Sequence, residues 1–121
     1  IFGKKIASYI SKIVGDSKPK NIIVAMIYYP SLEKSGSWAD PTLRAMLYDS
    51  DPRLLQKIID LCFLNAVKTI DILGSKIIHV QLSKVLDGRN FVDYKQRVEP
   101  SVVGGKKLAQ YYLDALKGKA R

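Results

Sequence analysis

Hydrophobic residues recur along the chain with two spacings, one typical of amphipathic helices and one typical of buried strands. The segment 2–14 has apolar residues on one helical face with lysines and serines between them: Phe2, Ile6, Tyr9, Ile10 and Ile13. The stretch Asn21 to Pro30 instead contains six consecutive apolar residues, 22–27, and most of them are β-branched. Such an unbroken run predicts a strand covered on both faces, as in the parallel sheet of an α/β domain.

The pattern after this strand predicts three helices and a second strand. They are a short helix capped by Asp40 before Pro41, a long helix over about 52–72 that follows Asp51-Pro52, a strand over 76–82, and a closing helix from Ser101, as its cap, to Gly118. A strand, a helix and a strand in this order predict a right-handed parallel βαβ unit. Segment 85–96 has no such pattern and is expected to be a loop.

Two strands are too few for a sheet of this kind. Sheets usually contain about four to six strands, and an apolar parallel strand needs neighbours on both edges. We therefore expect the 121 residues to form one domain that is half of an α/β sandwich. Another protein segment or another chain is expected to complete the sheet.

The composition indicates the net charge of the protein and its expected cellular compartment. Twenty Lys+Arg against eleven Asp+Glu give a net charge of +9, concentrated at the two ends of the chain. The basic terminal helices indicate either a solvated surface or a nucleic-acid partner. No run approaches the ~20 apolar residues of a membrane span. With one cysteine and so no disulfide framework, an intracellular protein, cytoplasmic or organellar (the mitochondrion included), is expected.

Few side chains suggest catalysis or metal binding. Cys62 lies in an apolar periodic segment and is expected to be a small buried hydrophobe. His79, the single histidine, lies in the middle of the second strand, where a structural role is favoured over a general base because catalytic groups in such sheets project from strand ends. One histidine and no obvious carboxylate pair predict neither a metal nor a cofactor.

The order IVAMIYYP, SWAD, YDSDPRLLQKII and DYKQRVEPSVVGG resembles the C-terminal half of proteins in the SGNH (GDSL) hydrolase superfamily. The resemblance covers about Lys20 to Leu116. It implies a three-layer α/β/α sandwich with a five-stranded parallel sheet, flavodoxin-like in architecture and incomplete in this chain. It also implies a serine ester hydrolase, if the catalytic groups are present.

The catalytic groups of that superfamily do not match this chain. Its D-x-x-H-P segment falls on Gln96 to Pro100, so that Gln96 replaces the aspartate and Glu99 the histidine. Glu99 is the one weak catalytic candidate, because a carboxylate does not shuttle protons near neutral pH as an imidazole does. The triplet Gly15-Asp16-Ser17 follows a helix rather than a strand, and is predicted to be a C-cap turn with Gly15 left-handed.

These observations favour a non-catalytic domain fragment with a degenerate active site, serving as a structural or accessory subunit of a larger assembly. One alternative is an ester hydrolase whose nucleophile lies on a segment outside this chain. In that case Tyr28, Arg97 and Ser101 would line the substrate pocket with Glu99, although structural contacts are favoured for Arg97 and Glu99. Another alternative is a basic nucleic-acid-associated protein.

Overall fold

The computed structural model describes residues 2–34 and 36–119. These residues contain four α-helices and four strands. In chain order they are α1 (Phe2–Val14), β1 (Asn21–Met26), α2 (Asp40–Ala45), α3 (Pro52–Asn65), β2 (Lys76–Gln81), β3 (Tyr94–Gln96), β4 (Glu99–Pro100) and α4 (Val102–Leu116). Short 3₁₀ turns lie at Val67–Thr69, Leu82–Lys84 and Phe91–Asp93. The mixed α/β class predicted from the sequence is confirmed.

Strands β1 and β2 form a parallel pair, as the strand–helix–strand order predicts. The register runs from Asn21 opposite Lys76 to Met26 opposite Gln81. The Lys76 amide donates to the Lys20 carbonyl at 2.9 Å, so the backbone groups of residue 20 point toward β2. Because alternate residues of a strand direct their backbone groups to the same edge, those of Ile22, Val24 and Met26 also point toward β2. The backbone groups of the residues between them therefore point to the other edge of β1, where the described residues provide no further strand.

Hydrophobic contacts lie on both faces of this strand pair, although β1 is less completely covered than β2. On one face Ile78 and Val80 of β2 pack with Leu108 and Ala115 of α4. On the other face Met26 packs against a cluster that includes Ile59 of α3. Because successive side chains of a strand point to opposite faces, α3 and α4 lie on opposite sides of the two strands.

The long helix is shorter than its apolar pattern predicts. It ends at Asn65 rather than near 72, because Ala66 has φ −124° and ψ −67°, outside the helical region. A 3₁₀ turn and the extended Ile70 follow. The apolar residues beyond Asn65 are buried by tertiary packing at positions 66, 67, 70 and 72, and this spacing imitates a continued helix.

Of the predicted helix ends, the cap at Asp40 is wrong, whereas Asp51, Ser101 and Gly15 occupy their predicted positions. Ala39, not Asp40, occupies the N-cap of α2, and Asp51 occupies the N-cap of α3 without a side-chain cap bond. Asp40 instead forms an ion pair with the buried Arg97. Ser101 caps α4 by accepting from the Gly104 amide at 3.1 Å, and Gly15 after α1 has the predicted left-handed φ of +52°.

The predicted loop over 85–96 contains local structure that the sequence pattern does not reveal. Its last residues form β3, which pairs antiparallel with β4 across an irregular turn. With three and two residues, these strands are too short to show an alternation of apolar and polar positions. The hairpin brings residues 96–100 beside the carboxyl end of β1.

Candidate functional site

The candidate site lies where β1 ends, between the loop that begins at Tyr28 and the β3–β4 hairpin. The Tyr28 hydroxyl donates to the Val98 carbonyl at 2.7 Å, and its ring meets Tyr94 edge-on with centroids 6.1 Å apart. Burial, followed by the charge of Glu99, raises the pKa of Tyr28. Tyr28 is therefore a protonated donor that joins the end of β1 to the hairpin.

Arg97 lies inside the protein with a fully buried side chain. Its Nη1 lies 2.7 Å from Asp49 Oδ1 and 3.4 Å from Asp40 Oδ1. Its Nε donates to the Ser31 carbonyl at 3.0 Å, and its guanidinium carbon lies 5.5 Å from the centre of the Tyr48 ring. The guanidinium is thus engaged by groups of the protein on several sides and joins the loop after β1 to the segment around α2.

Gln96 and Glu99, which the sequence resemblance expects at catalytic positions, both contact Trp38. Gln96 Oε1 accepts from the Trp38 amide at 3.3 Å, and Glu99 Oε1 accepts from the indole Nε1 at 2.9 Å. No imidazole lies at this position, and Glu99 already accepts a hydrogen bond from the protein. This geometry holds the segment before α2 against the hairpin.

Ser101 serves the backbone of α4 rather than the end of β1. In addition to capping Gly104, its hydroxyl donates to the Val92 carbonyl at 2.6 Å. The Ser101 oxygen therefore accepts one hydrogen bond and donates its proton to another local group. Of the predicted pocket residues, Tyr28 and Glu99 lie near each other, whereas the polar groups of Arg97 and Ser101 make separate structural contacts.

Three further tyrosines hold the loop after β1. Tyr48 Oη donates to the Pro30 carbonyl at 2.6 Å, and Tyr94 Oη donates to the Tyr29 carbonyl at 2.6 Å. The Tyr29 hydroxyl donates to Asp60 Oδ1 at 2.6 Å, and burial, then this hydrogen bond, raises the pKa of Tyr29 to about 12. The sequence pattern predicts none of these contacts, since the partners lie far apart in the chain.

A small cavity of about 170 Å³ lies beside these residues, with Ser31, Phe91, Tyr94 and Gln96 among its lining. The Ser31 hydroxyl accepts from the Glu33 amide at 3.3 Å. No histidine or cysteine is among the residues that line this cavity. The arrangement provides polar contacts and no nucleophile–base pair.

The other sequence candidates lie elsewhere. His79 Nε2 donates to the Ile70 carbonyl at 2.8 Å, and Ser17 Oγ donates to the Val14 carbonyl at 2.6 Å. Cys62 is partly exposed rather than fully buried as expected, because the buried side of α3 is formed by Leu55, Ile59 and Phe63.

Possible metal ligands and helix hydropathy are described for residues 2–34 and 36–119. Within these ranges, no group of three or more His, Cys, Asp or Glu is arranged to hold a metal ion. None of the helices described there combines the length and apolar character needed to cross a membrane.

Comparisons of the chain with protein-family models, curated proteins and solved structures gave no significant match.

Proposed function

We propose that this chain is a non-catalytic part of an SGNH-hydrolase-like α/β/α sandwich and acts as a structural or accessory subunit. A segment from outside these residues would add parallel strands beside β1 and extend the sheet toward the five strands of that fold. The observation that carries this proposal is the incomplete cover of β1.

Strand β1 is the most apolar strand, yet none of its residues is fully buried. Residues 22–26 are partly exposed, and the next residue, Ile27, is 48% exposed. In β2, by contrast, Ile78 and Val80 are each 1% exposed. An apolar parallel strand of this type normally has both faces covered and both edges paired, so β1 has the composition of an inner strand in the position of an edge strand.

The open edge of β1 provides backbone groups for a further strand. The amide and carbonyl groups of Ile23 and Ala25 face away from β2. Among the described residues, no backbone group forms a hydrogen bond with them. Unpaired strand edges of this kind are templates for strand addition. A parallel strand docked here would form hydrogen bonds to these groups and would cover the apolar side chains of β1.

A second apolar surface lies on α3. Leu54, Ile58 and Leu61 are separated by four and three residues, so they share one face of the helix, and about half of each side chain is exposed. We call these three residues the α3 stripe. The buried side of the same helix is formed by other residues, so the stripe is free to pack against a helix that accompanies the added strands.

The non-catalytic part of the proposal is supported by the state of the candidate residues. Glu99 accepts from Trp38, Arg97 is buried in ion pairs, and Ser101 caps α4. Each of these side chains has a structural partner in the protein. A role in holding the hairpin and the loop after β1 accounts for all three.

Site-specific cross-linking in the native assembly tests the proposal. Ile27→Cys, in a Cys62→Ser background, places a thiol beside the open edge of β1, and a short thiol-to-amine cross-linker would join it to the added segment. Leu73→Cys is the matched control, because Leu73 is 91% exposed and precedes β2, at the opposite end of the strand pair from Ile27. We expect an adduct at position 27 alone and a native mass above 13.6 kDa.

Two results would contradict the proposal. A native mass equal to one chain, with no adduct at position 27, would show that nothing completes the sheet. Labelling of the native assembly by a fluorophosphonate, together with turnover of a short-chain chromogenic ester, would show that the assembly is a serine hydrolase. The second result would overturn only the non-catalytic part, since sheet completion is measured separately by the cross-link.

A further inference from the structure

A cleft of about 250 Å³ lies on the side of β2 away from β1. It is lined by Phe63 from α3, Lys68 and Lys84 from two 3₁₀ turns, His79 and Gln81 from β2, and Tyr111 from α4. These residues come from five separate segments, so the fold, rather than one flexible loop, forms the cleft. It is distinct from the candidate site at the end of β1.

The lining of this cleft is basic and contains no carboxylate. Lys68, His79 and Lys84 account for half of the lining residues, and neither lysine forms an ion pair with the described residues. One carboxylate contacts the lining from outside it: Gln81 Nε2 donates to Asp60 Oδ1 at 3.3 Å. That same oxygen accepts from the Tyr29 hydroxyl at 2.6 Å, so Asp60 is already engaged by two donors.

The hydroxyl of Tyr111 is a buried donor without a partner. Its oxygen is inaccessible to solvent and has no hydrogen-bond partner among the described residues. Buried polar groups are almost always hydrogen-bonded, and an unpaired one is unfavourable. Tyr111 also lines the basic cleft, so a ligand whose oxygen displaces the atoms that cover the hydroxyl would give it a hydrogen-bond partner and would face the two lysines.

We propose that this cleft binds a phosphate group, with Lys68 and Lys84 as its counter-charges and Tyr111 Oη as a hydrogen-bond donor. The two lysine charges are balanced by a dianionic phosphate ligand but not by a ligand with a single carboxylate. Lysine binds phosphate as a compact point charge. His79 Nε2 is occupied by the Ile70 carbonyl, which leaves Nδ1 as the ring nitrogen free of that bond. The volume suits one phosphate group with a small substituent.

Titration of the purified full chain with inorganic phosphate tests the site. Binding is followed by the backbone amide NMR signals of residues 68, 79, 84 and 111, with ionic strength held constant by sodium chloride. We expect saturable shifts at these signals. Phenyl phosphate and phosphoserine distinguish free phosphate from a phosphomonoester, and acetate tests whether a carboxylate binds equally well, which would overturn the assignment to phosphate.

Matched variants separate the site from general attraction to a basic protein. Tyr111→Phe removes the hydroxyl and keeps the ring, and we expect about tenfold weaker phosphate binding, as for the loss of one hydrogen bond to a charged group. Tyr112→Phe, one residue further along α4, should leave the affinity unchanged. Lys68→Gln and Lys84→Gln should each weaken binding more than Lys57→Gln, which removes the same charge from an exposed position outside the cleft.

A separate measurement keeps the test decisive if binding is weak. Without phosphate, Tyr111→Phe should melt at or above the temperature of the unmodified chain, because it removes an unpaired buried hydroxyl. With phosphate, the unmodified chain should gain thermal stability and Tyr111→Phe should gain less. Equal gains in both proteins, or no saturable shifts at the cleft signals, would overturn the proposal.

Discussion

Arg97 shows how one residue can set the structure of several loops. Its buried guanidinium pairs with Asp49, contacts Asp40 and donates to the Ser31 carbonyl. A buried charge is tolerated when it is paired and hydrogen-bonded, and loss of one member of such a group is strongly destabilising. The partners lie 48 to 66 residues away in sequence, so no local pattern could predict them.

The first prediction concerns the side chain of Arg97. Arg97→Met keeps much of the volume but leaves Asp49 without its main partner, and we expect the free energy of unfolding to fall by about 3–5 kcal/mol. Arg97→Lys keeps the charge but not the planar fork of donors, so the free energy of unfolding should fall less in this variant than in Arg97→Met. Urea denaturation at neutral pH measures both values. Equal stability of Arg97→Met and the unmodified chain would contradict the structural role.

The second prediction concerns pH. The hydrogen bond from Arg97, followed by the charges of Arg97 and Lys34, lowers the pKa of Asp49 below its usual value of 3.8, although partial burial opposes this. Because the folded-state pKa is lower than the unfolded one, the pair stabilises the fold fully above the unfolded pKa. This stabilisation is lost as the pH falls through the folded pKa.

The variant Asp49→Asn isolates this contribution. It should unfold more easily than the unmodified chain at neutral pH, and its stability should decline less steeply below about pH 4. Asp87→Asn is the control, because the pKa of Asp87 is also lowered, chiefly by its hydrogen bond from Arg89, but this pair is more exposed and contributes less. Urea midpoints measured across the acid range would test the difference, and parallel curves for Asp49→Asn and the unmodified chain would refute it.

At the scale of elements, the N-terminal turn of α4 gives the third prediction. A Cβ added to Gly104 would lie 2.0 Å from the Asp93 carbonyl oxygen, whereas one added to Gly105 would meet nothing within 4 Å. We therefore expect Gly104→Ala to destabilise the protein by about 1–3 kcal/mol through overpacking. Gly105→Ala should stabilise it by up to about 1 kcal/mol, since alanine is the better helix former.

The two alanine variants control for each other because they differ by one position in the same turn. Thermal unfolding of both, compared with the unmodified chain, gives the sign of each change. Opposite signs are expected. A stabilising Gly104→Ala would mean that the Asp93 backbone does not approach α4 as closely as described.

The elements also show what a sequence can reveal and what it cannot. The amphipathic α1, the apolar β1 and the capped α4 were predicted because each carries its own local signal. The end of α3 was not, because Ala66, Val67 and Ile70 are buried at nearly helical spacing although the chain has left the helix. The Trp38 contacts to Gln96 and Glu99 and the basic cleft around Tyr111 depend on tertiary packing, and have no short-range signature.

At the scale of the whole molecule, the exposed apolar surface and the net charge of +9 act in opposite directions. The open edge of β1 and the α3 stripe favour association with another surface, since burial of apolar area is the main driving force for it. The positive charge repels a second copy of the same chain at low ionic strength. Salt at about 0.1 M reduces the screening length to about 10 Å, and so weakens the repulsion while leaving the apolar attraction in place.

This opposition gives the fourth prediction. The purified chain should self-associate more strongly as sodium chloride is added, whereas any charge-driven contact of its basic surface should weaken under the same conditions. The double variant Ile58→Gln/Leu61→Gln interrupts the α3 stripe and should reduce this association. Because both side chains are half exposed and lie off the buried side of the helix, each change should alter the free energy of unfolding by about 0.5 kcal/mol or less.

Sedimentation velocity over a range of salt concentrations measures the association, and Leu73→Gln is the control because it removes an exposed leucine outside the stripe. A monomeric double variant beside an associating Leu73→Gln would identify the α3 stripe as the surface that needs cover. Association that falls with salt would instead indicate charge-driven contacts. An unmodified chain that stays monomeric at every salt concentration would show that these apolar side chains are tolerated in water, and the case for a missing layer of structure would then depend on β1 alone.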